Sequence, residues 1–333
     1  METVFVTGGT GFLGQSLIPL LIRKGDRVKV LVRSVSQSKI NNPLIEKIVG
    51  DIRDRKTFEN ALSGVDKIYH LAGVVTDWAP KSLYENVHVQ GTKNILEVAI
   101  ANKVKKFIHI STVDVSDYEH HFCIDETTKY TFSKAPYRYT KVQAEKLVLN
   151  SKTNGLDFVI IRPSWIYGPG DTTFFPEIAY QVKKGLMIFI GSSKNFVPLV
   201  YSDNLSNAII KAGEIEAARG EIFLISDGEI TWEKLVRYIS AGMGIKEKHF
   251  LTWPYTTAYF LAIMMEGMAK TLKKKKRPLL TRTVVEMTGR SIKVNTEKAK
   301  KILGYLPSTS LEYGIQKSIQ WLKNKSIDDL RKK

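Results

Sequence analysis

TVFVTGGTGFLGQSLIPLLIRKGDRVKVLVR, residues 3–33, is the stretch that decides the fold. ETVFVT at 2–7 is β-branched and apolar, as a buried strand requires, and it runs into TGGTGFLG. Leu17, Leu20 and Leu21 then recur at helical spacing until Gly25 stops the run, and RVKVLVR at 27–33 reads as a second strand. A strand, glycine turn, helix and strand within about thirty residues form a βαβ unit. In such a unit each glycine has a task. Gly8 permits the tight turn, Gly11 lets the backbone approach a pyrophosphate, and Gly14 lets the helix pack on the sheet. The helix then begins with free N–H groups facing the phosphates. Dinucleotide binding is the expectation.

Arg33 and Ser34 follow the second strand. An acidic residue there would bond the adenosine ribose 2′-hydroxyl and repel a 2′-phosphate. A guanidinium beside a hydroxyl suits a phosphate better, so NADP(H) is expected over NAD(H).

The alternation continues along the chain. IEKIVGDIRD predicts a third strand ending at Asp51, whose carboxylate is expected to meet the adenine amine; VDKIYHLAG predicts a fourth strand. A helix is expected from about 81 to 102, a fifth strand in KKFIHIST, and a sixth in LDFVIIRPSWIYGPG. This is an α/β pattern with a doubly wound parallel sheet, and its ligand belongs beyond the carboxyl ends of the strands. Thr112, Pro163 and Ser164 lie at such ends.

KAPYRYTKVQAEK at 134–146 supplies the candidate chemistry. On a helix, Tyr137 and Lys141 share a face, whereas Tyr139 and Lys141 point apart. Pro136 fits the helix start, where its missing N–H costs little. A phenol titrates near ~10, too high for proton exchange at neutral pH unless a cation one turn away stabilises the phenolate. Thr112 is expected to bond the substrate oxygen beside Tyr137, with Ser111 the second choice because neighbouring strand positions point oppositely.

With these motifs in hand, the chain resembles the extended short-chain dehydrogenase/reductase superfamily, also called the NAD-dependent epimerase/dehydratase family. The resemblance rests on TGGTGFLG at 7–14, GDIRD at 50–54, HLAG at 70–73, Asn86 with GT at 91–92, and ST at 111–112. It continues through YRYTK at 137–141, RPSWIYGPGD at 162–171, VPLVYSDNLSNAI at 197–209, GEIFLISDGE at 220–229 and KAKKILGYLPSTSLEYGI at 298–315. It implies a Rossmann fold with a smaller C-terminal α/β substrate-binding domain. The nucleotide domain is expected over 1–168 with 197–226 returning to it, and the substrate domain mainly over 169–196 and 227–333. It also implies an active site of Thr112, Tyr137 and Lys141, with Lys141 bonding the nicotinamide ribose. Around the glycine turn, cofactor contacts are implied from Gly8, Thr10, Gly11, Phe12 and Leu13. Others are implied from Arg33, Ser34, Asp51 and Ile52, from Leu71, Ala72 and Gly73, and from Asn86, Pro163 and Ser164.

Within the superfamily, dehydratases resemble one another in placing Asp-Glu after the strand-end threonine; here Val113 and Asp114 follow, which argues against dehydration. The Arg162-Pro163-Ser164 sequence looks more like the 3β-hydroxysteroid dehydrogenase and dihydroflavonol reductase branch than like sugar-nucleotide epimerases. The expected reaction interconverts a secondary alcohol and a ketone on a steroid-, terpenoid- or lipid-like substrate, with Tyr137 as general acid and base. A 4-epimerase that retains NAD is the enzymatic alternative, and a non-catalytic dinucleotide-binding or membrane-associated protein is the other.

Charge and composition bound the remaining classes. The 333 residues carry a formal charge of +17, and 270–333 hold 18 Lys/Arg against 5 Asp/Glu. No zinc-finger, RRM or homeodomain pattern accompanies this charge, so no nucleic-acid role is expected. The single cysteine, Cys123, excludes an internal disulfide and fits a reducing compartment. The N-terminus does not read as a secretory signal, and a cytoplasmic location is expected. The six histidines lack metal-ligand spacing, so no metal is expected. Residues 250–278 combine about twenty mostly apolar residues with a KKKKR run, interrupted by Pro254 and Glu266. This segment is expected to be either a lid over an apolar pocket or a peripheral contact with an anionic membrane. A homodimer through 81–102 and 137–152 is the expected assembly.

Overall fold

The structure, a computed structural model, describes residues 1–35, 42–119, 122–246, 249–272 and 277–327. Lys273–Lys276 of the basic run, His120 and His121 lie outside the described residues.

Five strands open the chain: β1 (Thr3–Thr7), β2 (Arg27–Val32), β3 (Ile45–Val49), β4 (Lys67–His70) and β5 (Lys106–Ile110). With Phe158–Pro163 and Ile222–Ile225 they make one seven-stranded parallel sheet. Its order is Ile222–Ile225, Phe158–Pro163, β5, β4, β1, β2, β3. Strand order reverses between β1 and β4, and that reversal opens the crevice where such sheets bind ligands. Alternate side chains of one strand feed opposite layers. Val4 and Val6 pack with Leu17 and Leu21 of α1 (Phe12–Arg23) and with Leu205 and Ile209. Phe5 turns the other way, to Ile95, Val98 and Val148. Burial on both faces explains why these strands read as near-continuous apolar runs.

A smaller layer forms on Trp165–Tyr167, Phe196–Tyr201 and Gly228–Thr231, with helices Phe174–Lys184, Trp232–Met243 and Leu311–Lys323 around it. Its core joins Tyr167, Phe175, Leu199, Leu235, Ile239 and Ile315. Leu311–Lys323 comes close because Gly314 lacks a side chain: a Cβ there would sit 2.6 Å from the Tyr167 hydroxyl.

Two expectations are corrected by this arrangement. The sixth strand is two strands. Pro163, which has no N–H to continue the ladder, ends the first, and Trp165–Tyr167 crosses to the small sheet. Residues 197–201 do not return to the nucleotide domain: Leu199 pairs with Trp165 on one side and Gly228 on the other. The return begins with helix Ser202–Glu214 and ends with Ile222–Ile225. Beyond 227, Ala299, Leu303 and Tyr305 complete the large sheet's core.

Candidate functional site

The glycine turn is built as a phosphate cradle. Gly8 has φ +72°, and a Cβ there would lie 2.7 Å from the Leu71–Ala72 backbone, so the turn nests against the end of β4. A Cβ on Gly14 would strike the Gly9 backbone, so its absence lets α1 start tight against the turn. Gly9, which sequence reasoning passes over, needs the same bareness because Val30 and Ile18 lie beneath it. Gly11 differs, since a Cβ there would meet only the Gly8 carbonyl. No side chain caps α1, so its first-turn N–H groups face the crevice with Thr10 and Gly11 exposed beside them. Phe12 tucks beneath Gly168 and Gly170, and Leu13 is buried in the core. The donor set and the bare backbone fit a pyrophosphate.

The adenosine end follows the sheet edge. Arg33 is exposed just past β2, with Ser34 half-buried beside it. Asp51 lies two residues beyond β3, not at its end, and Arg53 holds it by two bonds of 2.9 and 2.6 Å. That guanidinium keeps the Asp51 carboxyl below its ordinary range. Asp51, Arg53, Asp54, Asn86 and Gln90 line a cleft of about 430 Å³. Ile52 is buried behind it, its carbonyl held by Asn94 at 2.9 Å. Arg53 carries no signal in the sequence beyond its neighbour's charge.

At the other end, helix Pro136–Asn150 has Pro136 in its first turn and presents Tyr137 and Lys141 one turn apart. The Thr112 hydroxyl lies beside the Tyr137 phenol. Ser111 turns away and donates to Glu145 at 2.5 Å, within a buried group that includes Arg162 and Tyr130. Pro163 and Ser164 close this end, and the Ser164 hydroxyl is buried without a partner among the described residues. An unpaired buried hydroxyl at the sheet's carboxyl edge is consistent with a ligand group meeting it.

Lys141 donates to the Ile110 carbonyl at 2.7 Å. Burial and the nearby Asp114 push Tyr137 above its ordinary value. Burial also pulls Lys141 down to about 8, against the opposing pull of Glu145. The carbonyl that takes the ammonium belongs to the last residue of β5.

His88 has no spaced partner in the sequence, yet it joins both halves of the site. It sits in a single π turn, Glu85–Gln90, inserted in the helix expected at 81–102. The turn shifts the helical register, which hides the partners from any spacing rule. Its Nε2 accepts from the Val74 N–H at 2.9 Å, so Nδ1 carries the proton and donates to Thr140 at 2.9 Å. Thr140 in turn donates to the Pro136 carbonyl at 2.6 Å, and the His88 ring stands edge-on to Tyr137 at 5.7 Å. Burial and the Lys141 charge lower His88 to about 3, which keeps it neutral. Leu71, Ala72 and Gly73 are thereby fixed between the glycine turn and the Tyr137 helix.

The chain is 29% identical to the 2-alkyl-3-oxoalkanoate reductase of Stenotrophomonas maltophilia, covering 94% of this chain and 97% of that one. It is 30% identical to the decarboxylating sterol-4-alpha-carboxylate 3-dehydrogenase of Candida albicans, covering 97% and 98%. The UDP-glucose 4-epimerase of Thermotoga maritima, solved with UDP-glucose, superposes with a TM-score of 0.76 over 96% of this chain and 98% of that one. At 22% identity it shares the fold. The model of the 3-beta hydroxysteroid dehydrogenase/isomerase family matches residues 5–255, from within β1 to the start of helix Tyr255–Thr271. On that match and that fold, the chain belongs to the 3-beta hydroxysteroid dehydrogenase/isomerase family, whose members are nicotinamide-dependent oxidoreductases.

Proposed function

We propose that the protein interconverts a ketone and a secondary alcohol on a hydrophobic substrate with NADP(H), using Thr112, Tyr137 and Lys141. The observation that carries this reading is the meeting of the Thr112 hydroxyl and the Tyr137 phenol at the carboxyl end of β5, on the sheet edge that also holds the glycine cradle. With its pyrophosphate in that cradle, a bound nicotinamide dinucleotide would supply or take up the hydride. Tyr137 gives its proton to the oxygen as the carbonyl is reduced, and recovers it when an alcohol is oxidised. Thr112 holds that oxygen beside the phenol. Lys141, freed from Ile110, bonds the nicotinamide ribose and favours the phenolate.

Arg33 carries the choice of dinucleotide, because a guanidinium past β2 can fork onto a 2′-phosphate. Arg33→Ala is expected to weaken NADP(H) about 10- to 100-fold and NAD(H) by under about threefold, read by titration of protein fluorescence. Equal losses for both would remove Arg33 from this role. The relatives' names, one a reductase of 2-alkyl-3-oxoalkanoates and the other a dehydrogenase of sterol carboxylates, support an apolar substrate. Absorbance of reduced nicotinamide, followed with 3-oxoalkanoates, 3-ketosteroids and other lipid-like ketones, tests the reading directly. No net redox change with any of them, alongside turnover of a sugar nucleotide, would favour the epimerase.

The segment 250–278 supports a second feature. No helix among the described residues is long and apolar enough to cross a membrane. Helix Tyr255–Thr271 instead buries small residues, Ala258, Ala262 and Ala269, and turns large apolar ones outward. Phe260, Ile263, Met264 and Met268 form an exposed row, with Met268 60% exposed, and the cationic sequence 273–277 follows. At the end of that sequence, Arg277 grips Asp77 at 2.7 Å and Thr281 donates to the same carboxylate at 2.6 Å, fastening the segment to the loop beyond β4. The segment therefore serves as a lid whose outer face rests on an anionic membrane. The protein is expected to sediment with phosphatidylserine-containing vesicles at low salt and to be released as salt rises. Failure to sediment at low salt would leave the lid alone.

A further inference from the structure

Behind Thr112 stands a carboxyl group that the scheme above does not use. After β5 the chain makes a single 3-10 turn, Val113–Val115, which folds Asp114 back onto the threonine. Asp114 Oδ2 lies 2.9 Å from Thr112 Oγ1, and the Asp114 N–H donates to that same oxygen at 3.2 Å. Its other carboxyl oxygen accepts from the Tyr118 phenol at 3.3 Å. Only 3% of Asp114 is exposed.

The groups facing it come from several elements. Tyr118 lies on its own loop, Tyr137 and Arg138 on the helix Pro136–Asn150, and Trp165 on the small sheet. Arg138 is the nearby cation, but its hydrogen bonds go elsewhere. Nε donates to the Asp114 backbone carbonyl at 2.9 Å, and Nη1 is shared between Glu119 at 2.8 Å and Glu286 at 3.2 Å. Nη2 donates to the Ser116 carbonyl at 3.2 Å. The Asp114 side chain therefore takes its hydrogen bonds from neutral groups. Lys141 faces Ile110, and His88 is neutral beyond Tyr137.

Hydrogen counting then limits what Thr112 can do. A hydroxyl has one proton and two lone pairs. An ionised Asp114 can only accept, so Thr112 spends its proton on the carboxylate and faces the substrate as an acceptor. A protonated Asp114 donates to Thr112 instead. Together with the Asp114 N–H it fills both lone pairs, and the Thr112 proton must point outward. A ketone oxygen only accepts. Thr112 and Tyr137 can donate to it together only in the second arrangement. An alcohol, which can donate, suits the first.

We propose that Asp114 is a positioning residue that carries a proton in the ketone complex and thereby aims the Thr112 hydroxyl at the substrate oxygen. The inference rests on the role given to Thr112 above. Burial pushes the Asp114 carboxyl upward, the direction that retention of a proton needs, while the Arg138 charge opposes it. The Asp114 proton is not consumed: hydride goes to carbon, the Tyr137 proton goes to oxygen, and Asp114 only orients.

Two variants and one spectrum test this. In Asp114→Asn the amide donates to Thr112 while its carbonyl accepts from Tyr118, so Thr112 is aimed outward at every pH. Wild-type kcat/KM for ketone reduction is expected to fall on the alkaline side as Asp114 ionises. Asp114→Asn is expected to stay within about threefold of the wild-type plateau and to lose that limb, keeping any limb due to Lys141. Asp114→Ala, still folded by its thermal transition, is expected to lose about 30-fold or more. Coincident pH profiles for wild type and Asp114→Asn would overturn the proposal, as would an Asp114→Asn protein as inactive as Asp114→Ala. Infrared difference spectra of the protein with NADP⁺ and a ketone, a complex that cannot turn over, read the carboxyl directly. A protonated-carboxyl stretch at neutral pH, lost in Asp114→Asn, is expected, and its absence would overturn the proposal. If that band is found and no ketone is reduced, it is the reductase reading that fails.

Discussion

Tyr137→Phe is expected to bind the dinucleotide as the wild type does and to lose about 10³-fold in kcat, within the range that a positioned general acid supplies. The phenol stands beside the Thr112 hydroxyl, and His88 and Lys141 cannot replace it. His88 is neutral, with its one ring proton committed to Thr140, and Lys141 donates to the Ile110 carbonyl. Phenylalanine keeps the ring that stands against His88, so folding should be spared and the loss should fall on the chemical step. Tyr139→Phe is the internal control. Tyr139 is 43% exposed on the other face of the helix, with Lys81 over its ring at 5.9 Å, and its loss should leave kcat nearly unchanged. Comparable losses in both variants would dissociate Tyr137 from the chemistry.

Lys141→Met is expected to gain stability while losing activity. Lys141 is buried, and its folded-state value of about 8 lies below the ordinary 10.5. Between those values the unfolded chain binds a proton that the folded chain does not, so wild-type stability rises with pH across that window. At neutral pH the folded protein carries the buried charge at a cost of up to about 3 kcal/mol, since each tenfold loss of proton affinity corresponds to about 1.4 kcal/mol. Methionine removes that cost but leaves the Ile110 carbonyl unpaired, which returns about 1 kcal/mol. The variant should therefore melt higher at pH 7 by about 1–2 kcal/mol of stability, and the advantage should vanish as the pH rises toward the ordinary lysine value. Turnover should fall about 10²-fold or more, because neither ribose nor phenolate then has its cation. A variant less stable than wild type at pH 7 would show that the ammonium is well solvated in the folded state.

These two residues also show what the sequence makes legible. Tyr137 and Lys141 follow from helical spacing, and Gly8 and Gly14 from the needs of a turn, because each depends on contacts within a few residues. The parallel sheet is readable for a related reason: strands buried on both faces must be apolar throughout. What escapes depends on tertiary placement. The partner Lys141 chooses is the carbonyl of Ile110, thirty-one residues away. His88 gains its role only because a π turn shifts its face. Asp114 reads in the sequence as the second of two dehydratase positions with the first carboxylate missing, and only the turn at Val113–Val115 brings it back onto Thr112. The sixth strand reads as continuous since its second half is as apolar as its first, and only the backbone limit at Pro163 divides it.

In the proposed reaction this chain passes hydride between a dinucleotide and the carbonyl carbon of a lipid-like ketone. The most direct measurement gives the wild-type protein NADPH carrying deuterium at the transferable position, with a ketone from the absorbance screen, and follows the label by mass spectrometry. Deuterium on the carbinol carbon of a released alcohol, with an equivalent amount of NADP⁺ formed, is the predicted result. Label that stays on the dinucleotide across the whole ketone panel would contradict the account.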